Sequence, residues 1–198
     1  MRTFPIFVLF VGMMTGCSWV PQSQREFHQE MRDSNSPYKV VEKDDPFTET
    51  WSAAMVNNFV SVKGSAYDEW QRGYYIDVEF NLALACKHAD RDTLIILGLK
   101  YYSEHWLFIG GKSSLVLLIA GERRAFSGIL NTSERGVVGG GGVQENMVYL
   151  MDRRTVSLLC SPTVIRGALF GSEGQCEFTL TRENIERLRA FAARYNLI

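Results

Sequence analysis

The chain has 198 residues, of which 46% are hydrophobic and 12% aromatic, and its 21 basic residues are matched by 22 acidic ones. This composition is typical of a globular protein and excludes a disordered or collagen-like chain. A formal charge of −1 offers no broad basic surface, so we expect no nucleic-acid binding. No apolar run reaches the roughly 20 residues of a transmembrane helix. The length predicts one domain with a substantial core.

The first sixteen residues have the pattern of a signal peptide. Arg2 supplies a positively charged n-region, and residues 4–14 form an apolar stretch with the length of an h-region rather than of a membrane span. The two residues after this stretch are small, as the groove of a signal peptidase requires. The sequence therefore predicts a signal peptide over residues 1–16.

The segment Met14-Thr15-Gly16-Cys17 resembles the lipobox of bacterial lipoproteins, with Met14 in place of the usual leucine. The resemblance implies that the Cys17 thiol receives a diacylglyceryl group, that cleavage frees its amine, and that the amine is acylated in many Gram-negative bacteria. Two or three acyl chains hold a protein on a membrane almost permanently. Ser18 stands where an Asp would suggest retention at the inner membrane, so the resemblance implies an outer-membrane anchor facing the periplasm. The alternative is cleavage at another position, which leaves Cys17 without a role.

Residues 17–46 are polar, mixed in charge and without a regular apolar spacing. We expect them to form the lipidated N-terminus and a flexible tether, or alternatively an arm that orders on contact with a partner. Loss of residues 1–16 removes one charged side chain, Arg2, so the mature chain carries a formal charge of −2. Such a chain is not attracted to anionic headgroups, and the lipid alone would hold it at the membrane.

Residues 47–198 are predicted to form a single globular domain rich in strands. Apolar and polar side chains alternate over residues 74–84, which predicts a half-buried strand with Asp77, Glu79 and Asn81 on its polar face. Residues 93–102 are apolar on both faces and predict a central strand. Further strands are predicted at residues 105–109, 114–120, 123–129, 147–150, 163–170 and 176–180, with turns at 110–113, 121–122 and 171–174.

Two helices are predicted in the C-terminal part of the chain. Asp152 is placed to cap a short helix that turns Val156, Leu159 and Cys160 inward. Thr181 is placed to cap a final amphipathic helix. The apolar side of that helix consists of Ile185, Leu188, Phe191, Ala192 and Tyr195. The fold is therefore predicted to be α+β: an antiparallel, curled sheet of about seven or eight strands packed by these helices.

The familiar motifs of cofactor and metal binding are incomplete. The glycines at 139–142 precede an extended pattern rather than a helix and favour a mobile loop between strands over a phosphate cradle. Gly-Gly-Lys-Ser at 110–113 lacks the upstream glycine of a P-loop, since Trp106 occupies that position. His28, His88 and His105 have no metal-ligand spacing. We therefore expect neither a cofactor nor a metal site.

Catalytic motifs for a serine nucleophile, Gly-x-Ser-x-Gly and Ser-x-x-Lys, do not occur. Cys86 and His88 are neighbours in sequence, but the alternation places Cys86 on the core face. Cys176 also points inward. With Cys17 lipidated and an oxidising compartment outside the inner membrane, three thiols allow three pairings with one left over. A Cys86–Cys176 disulfide is the pairing we expect; the alternative is that Cys86, Cys160 and Cys176 are all buried, unpaired residues.

Aromatic residues in or beside the early strands are candidates for a recognition face. The set consists of Trp51, Trp70, Tyr74, Tyr75, Tyr101, Tyr102 and Trp106. Tyr75 shares the polar face and could stack on a sugar or a peptide, whereas core or cross-strand packing is the alternative for the whole set.

Two functional hypotheses follow from these patterns. The first is an envelope lipoprotein that acts in the periplasm as a non-catalytic accessory subunit or binding module and presents a sheet edge or face to an envelope protein. The second is a periplasm-facing hydrolase of cell-wall or envelope material, with a site assembled from dispersed residues. A pocket that combines carboxylates with His88 or His105 would favour the enzyme, and a free strand edge would favour the module.

Overall fold

The computed structural model describes residues 38–62, 76–87, 93–110, 114–129, 134–138 and 142–198. Within these ranges the chain forms eleven strands in two antiparallel sheets, with two helices after the ninth strand and at the C-terminal end. The predicted antiparallel pairing of the strands and the two predicted helices are confirmed. The strands are distributed over two sheets rather than one curled sheet of seven or eight.

Sheet A has six strands. In spatial order they are β1 (Lys39–Asp45), β2 (Thr50–Val56), β4 (Ile76–Lys87), β5 (Thr93–Ser103), β9 (Gly142–Met151) and β8 (Glu134–Val138). The central strand predicted at 93–102 is confirmed, because β5 lies between β4 and β9 and is buried on both faces. Residues 39–45, predicted to belong to the tether, form β1 instead.

Sheet B has five strands. In spatial order they are β3 (Ser61–Val62), β11 (Gly174–Leu180), β10 (Ile165–Gly171), β6 (Leu115–Ile119) and β7 (Glu122–Phe126). The predicted hairpins are present: β6 and β7 are joined by Ala120 and Gly121, and β10 and β11 by the turn at 172–173. Both residues of the β6–β7 turn have positive φ, 51° and 86°, as a type I′ hairpin turn requires.

The two sheets pack face to face around one large core. Phe80 of β4 and Phe178 of β11 meet across the interface with their ring centroids 6.2 Å apart. Tyr149 of β9 forms a 3.0 Å hydrogen bond with Ser114, the residue before β6, and burial raises the pKa of this tyrosine to about 12. The fold is thus a β-sandwich in which a polar bond as well as apolar contacts joins the layers.

The two helices have the predicted caps and buried faces. α1 (Arg153–Cys160) begins after Asp152, whose carboxylate accepts the N–H of Thr155 at 2.6 Å. α2 (Arg182–Arg194) begins after Thr181, which forms a reciprocal capping box with Asn184. The buried residues are Val156, Leu159 and Cys160 in α1 and Asn184, Ile185, Leu188, Phe191 and Ala192 in α2. Among the described residues, no helix is long and apolar enough to cross a membrane.

The polar face predicted for β4 is not a solvent-exposed face. Glu79 and Asn81 are only 3% and 2% exposed. Glu79 accepts hydrogen bonds from Tyr102 Oη (3.1 Å) and Asn81 Nδ2 (2.8 Å), and its carboxylate lies 3.9 Å from Lys100 Nζ. The alternation therefore identified the two faces of the strand, but partners on β5 allow the polar one to be buried as well.

Candidate functional site

Cys17, the predicted lipid-attachment residue, lies outside the described residues, as do the signal peptide and residues 18–37 of the predicted tether. The other three cysteines are free thiols. Cys86 is half-buried at the end of β4, whereas Cys160 in α1 and Cys176 in β11 are buried.

The structure does not contain the predicted Cys86–Cys176 disulfide. Cys86 lies six residues beyond Phe80 along β4, which corresponds to roughly 20 Å at 3.3 Å per residue. Cys176 lies on the other side of the Phe80–Phe178 contact, near Tyr101, whose pKa is raised chiefly by burial and further by the nearby Cys176. A disulfide requires Cα atoms within about 7 Å, so the two thiols are too far apart.

The histidines do not mark a metal centre in the described structure. His105 is exposed in the loop after β5, and its N–H donates to Ser103 Oγ at 3.2 Å. His28 and His88 lie outside the described residues. Within the described ranges, no three His, Cys, Asp or Glu side chains come close enough to hold a metal ion.

A buried carboxylate at one end of the sandwich organises the loop over residues 104–110. Glu145 of β9 is 1% exposed. Its Oε1 accepts the backbone N–H groups of Leu107 (2.6 Å) and Phe108 (2.8 Å), and its Oε2 accepts that of Ile109 (2.8 Å). A strand was predicted at 105–109, but this segment is irregular, and one side chain supplies the acceptors that a neighbouring strand would otherwise provide.

Arg135 of β8 completes this arrangement from the neighbouring strand. It lies directly opposite Glu145 in the β8–β9 register, and its Nε donates to Glu145 Oε2 at 3.2 Å. Its Nη2 donates to the carbonyl oxygen of Ile109 at 2.7 Å. The same guanidinium lies over the ring of Phe108, 5.6 Å from its centroid, so one arginine contacts the carboxylate, the backbone and the surface aromatic.

Sheet B holds the other side of the loop. Ile109 forms an isolated antiparallel bridge with Gly171 at the end of β10, and the N–H of Glu173 donates to the carbonyl oxygen of Leu107 at 3.3 Å. A Cβ atom at position 171 would lie 1.8 Å from that oxygen. Glycine is therefore required there, and the loop is held between a carboxylate of sheet A and the backbone of sheet B.

Phe108 is strained and exposed at once. Its φ of +52° lies in the left-handed region, which costs a bulky residue about 1–2 kcal/mol. Its side chain is 41% exposed, and the half-buried ring of Trp106 stacks against it with centroids 5.7 Å apart and an interplanar angle of 25°. The strain thus places an aromatic pair at the surface rather than in the core.

The free edge of sheet A begins beside this aromatic pair. β8 is the last strand of the sheet, and no described strand pairs with its outer side. Val137, two residues along the same strand face from Arg135, is 74% exposed. We call Trp106, Phe108, Arg135 and Val137 the Phe108 surface. It combines stacked rings, an exposed aliphatic side chain and a strand edge with which no described strand pairs.

The aromatic residues predicted as a recognition face divide into three groups. Trp51 packs against Tyr195 of the C-terminal helix end, with centroids 5.5 Å apart, while Tyr101 and Tyr102 are buried. Trp70, Tyr74 and Tyr75 lie outside the described residues. Trp106 alone of the described ones belongs to the Phe108 surface. Phe108 and Arg135 were missed, because no sequence pattern signals a positive φ at a phenylalanine or a salt bridge between neighbouring strands.

Comparisons with known proteins give no relative for this arrangement: no protein-family model, no curated protein and no solved structure matches the chain.

Proposed function

We propose that the protein is an outer-membrane lipoprotein, anchored through Cys17, that acts in the periplasm as a non-catalytic binding module for another envelope protein. The anchor rests on the lipobox-like segment at 14–17. The binding role rests on one structural observation: a fully buried carboxylate and an arginine hold Phe108 in a strained conformation that leaves its ring exposed.

The ligand we propose for the Phe108 surface is an extended segment of the partner. An added strand can pair its backbone with the outer side of β8, while its alternate side chains contact the exposed apolar groups. The other outer strands are less suited. β3 has only two residues, and β1 and β7 carry several exposed charged side chains, which discourage pairing. Gly136 and Val137 instead leave part of β8 uncharged.

The hydrolase alternative finds no support at this site. Among the described residues, Glu145 accepts four hydrogen bonds, three from backbone N–H groups and one from Arg135. A carboxylate so fully engaged holds a loop in place and is not available as a general acid or base. Its role is structural, and the exposed aromatic group that it supports is a recognition element.

The test is cross-linking in intact cells, followed by pull-down of the full chain and quantification of what accompanies it. We expect to recover one envelope protein in near-stoichiometric amount. Phe108→Ala and Val137→Lys should each reduce its recovery at least about tenfold, the first because it removes the aromatic ring and the second because a lysine discourages pairing at a strand edge. Val164→Lys is the matched control, because Val164 is an exposed valine (52%) that precedes β10. The proposal is wrong if no partner is recovered with the chain, or if Phe108→Ala and Val137→Lys both recover as much partner as the Val164→Lys control.

A further inference from the structure

Gly136, in the middle of β8, is a glycine that its own domain does not require. Its φ lies outside the left-handed region, and a Cβ atom at this position would meet no heavy atom of the described residues within 4 Å. Gly171 is the contrast, because a Cβ atom there would lie 1.8 Å from a carbonyl oxygen. A glycine inside a strand weakens the strand, since it has no side chain to pack. Such a glycine often marks a place where another chain approaches closely.

The open space above Gly136 lies on the outer face of sheet A. β9 turns its odd-numbered residues toward the core, whereas Gly136 pairs with Gln144 and therefore faces away from sheet B. Gln144 is half-buried, and its Nε2 donates to Asn146 Oδ1 at 2.9 Å, two residues along the same face of β9. The space is thus bordered on one side by an amide held along β9. On the other side it meets the edge of β8 with which no described strand pairs.

A strand added to the outer side of β8 would place one of its side chains directly beside this space. Aromatic side chains stabilise a glycine on a neighbouring edge strand, because the flat ring can cover the backbone that the glycine leaves bare. The adjacent residue of the added strand would point to the opposite face of the sheet, where Val137 is 74% exposed. The two neighbouring positions of β8 therefore favour an aromatic residue next to an aliphatic one in the added strand.

We propose that Gly136 is a specificity-determining residue, and that the partner segment carries an aromatic side chain opposite Gly136 and an aliphatic one opposite Val137. This inference rests on the proposed addition of a strand to β8 and names the chemistry of that strand. The Phe108 surface contacts one face of the added strand, and Gly136 contacts the other. Because Gly136 has no packing role among the described residues, a side chain introduced there changes binding without damaging the fold.

The first experiment selects peptides from a phage-displayed library of random dodecapeptides on the full chain in mild detergent. We expect the enriched peptides to contain an aromatic residue directly beside an aliphatic one, and their recovery to fall at least about tenfold on Val137→Lys. Enriched peptides that depend on Val137 but lack an aromatic residue would overturn this inference and leave strand addition intact. If no enriched peptide depends on Val137, strand addition to β8 is wrong and this inference is wrong with it.

The second experiment compares one selected peptide with the form in which alanine replaces its aromatic residue. Loss of the ring should weaken binding to the wild type about 30-fold or more, but binding to Gly136→Val less than about threefold, because the valine side chain occupies the place of the ring. Ala125→Val is the matched control and should show the wild-type loss, because Ala125 is exposed on β7, an outer strand of sheet B.

Thermal unfolding separates this effect from misfolding. Gly136→Val should be at least as stable as the wild type, since its Cβ meets no described atom within 4 Å and valine favours strands. A similar loss of affinity in Gly136→Val and the wild type on removal of the ring contradicts the role of Gly136.

Discussion

Replacement of Glu145 by Gln tests whether the carboxylate organises the loop. The substitution keeps the size of the side chain and one carbonyl oxygen, but it turns the other oxygen into an NH₂ group. With the remaining oxygen in the place of Oε1, the new NH₂ faces the N–H of Ile109 and the Nε–H of Arg135. These two groups are both donors and would face another donor, so the buried backbone N–H of Ile109 would be left without an acceptor.

The magnitude follows from the contacts that are lost. A hydrogen bond to a charged group contributes about 1.5–3 kcal/mol, and a buried donor without an acceptor costs about 1–3 kcal/mol. The ion pair with Arg135 adds little, because the arginine side chain is 36% exposed and solvent screens it. We expect Glu145→Gln to lower the free energy of unfolding by about 2–4 kcal/mol, and Glu145→Ala, which removes every acceptor, to lower it further.

Two measurements on the full chain in mild detergent check this. Urea unfolding followed by circular dichroism gives the global free energy, and hydrogen exchange with mass spectrometry reports the amides of residues 107–109 directly. These amides should exchange at least about 30-fold faster in Glu145→Gln, which corresponds to about 2 kcal/mol of local opening. Glu122→Gln is the control, because this exposed glutamate also pairs with an arginine, Arg124, on a strand, and should change stability by less than about 0.5 kcal/mol. Equal stability and equal exchange in the two variants would refute the reasoning.

Three further predictions concern the anchor, the thiols and a turn. Cys17→Ser should release the protein from sedimented membranes; a variant that still sediments contradicts lipidation. Without reductant, Cys86, Cys160 and Cys176 should each be alkylated after unfolding, and fewer than three labels would require a disulfide. In the native protein at pH 8 the half-buried Cys86 should react first, because burial raises the pKa of the Cys160 thiol to about 11 and that of Cys176 to about 12. Ala120→Asn should stabilise the protein by roughly 1 kcal/mol, seen as a Tm about 2–4 °C higher, because asparagine tolerates the positive φ that alanine avoids; an unchanged Tm would contradict that account.

Much of the fold could be predicted because its signals are local. Asp152 and Thr181 cap the helices as predicted, since a capping side chain and the N–H that it accepts lie within one turn. The β6–β7 hairpin likewise has its glycine in the turn itself. The distribution of the strands over two sheets depends instead on which strands pair across long separations, and hydrophobic periodicity carries no information about partners.

The candidate site could not be predicted for the same reason. Glu145 lies 36 residues after Ile109, and their contact exists only because β9 and the loop meet at one end of the sandwich. In the sequence, Glu145 looks like a polar residue before the strand predicted at 147–150, and Phe108 like one member of an apolar run. The prediction of a strand at 105–109 was wrong because the buried carboxylate of Glu145, on β9, stabilises a different backbone conformation there.

The link between Asn58 and Asn184 has a kinetic consequence. Asn184 Nδ2 donates to Asn58 Oδ1 at 3.0 Å, across 126 residues, and to the carbonyl oxygen of Phe59, across 125. Just beyond, Val62 of β3 pairs with Phe178 of β11. The segment that leaves sheet A is bonded to β4, but its partners in sheet B and in α2 lie in the last quarter of the chain. Contacts of such long range slow folding, so the sandwich should close late and in one cooperative step, after the C-terminal residues have been synthesised.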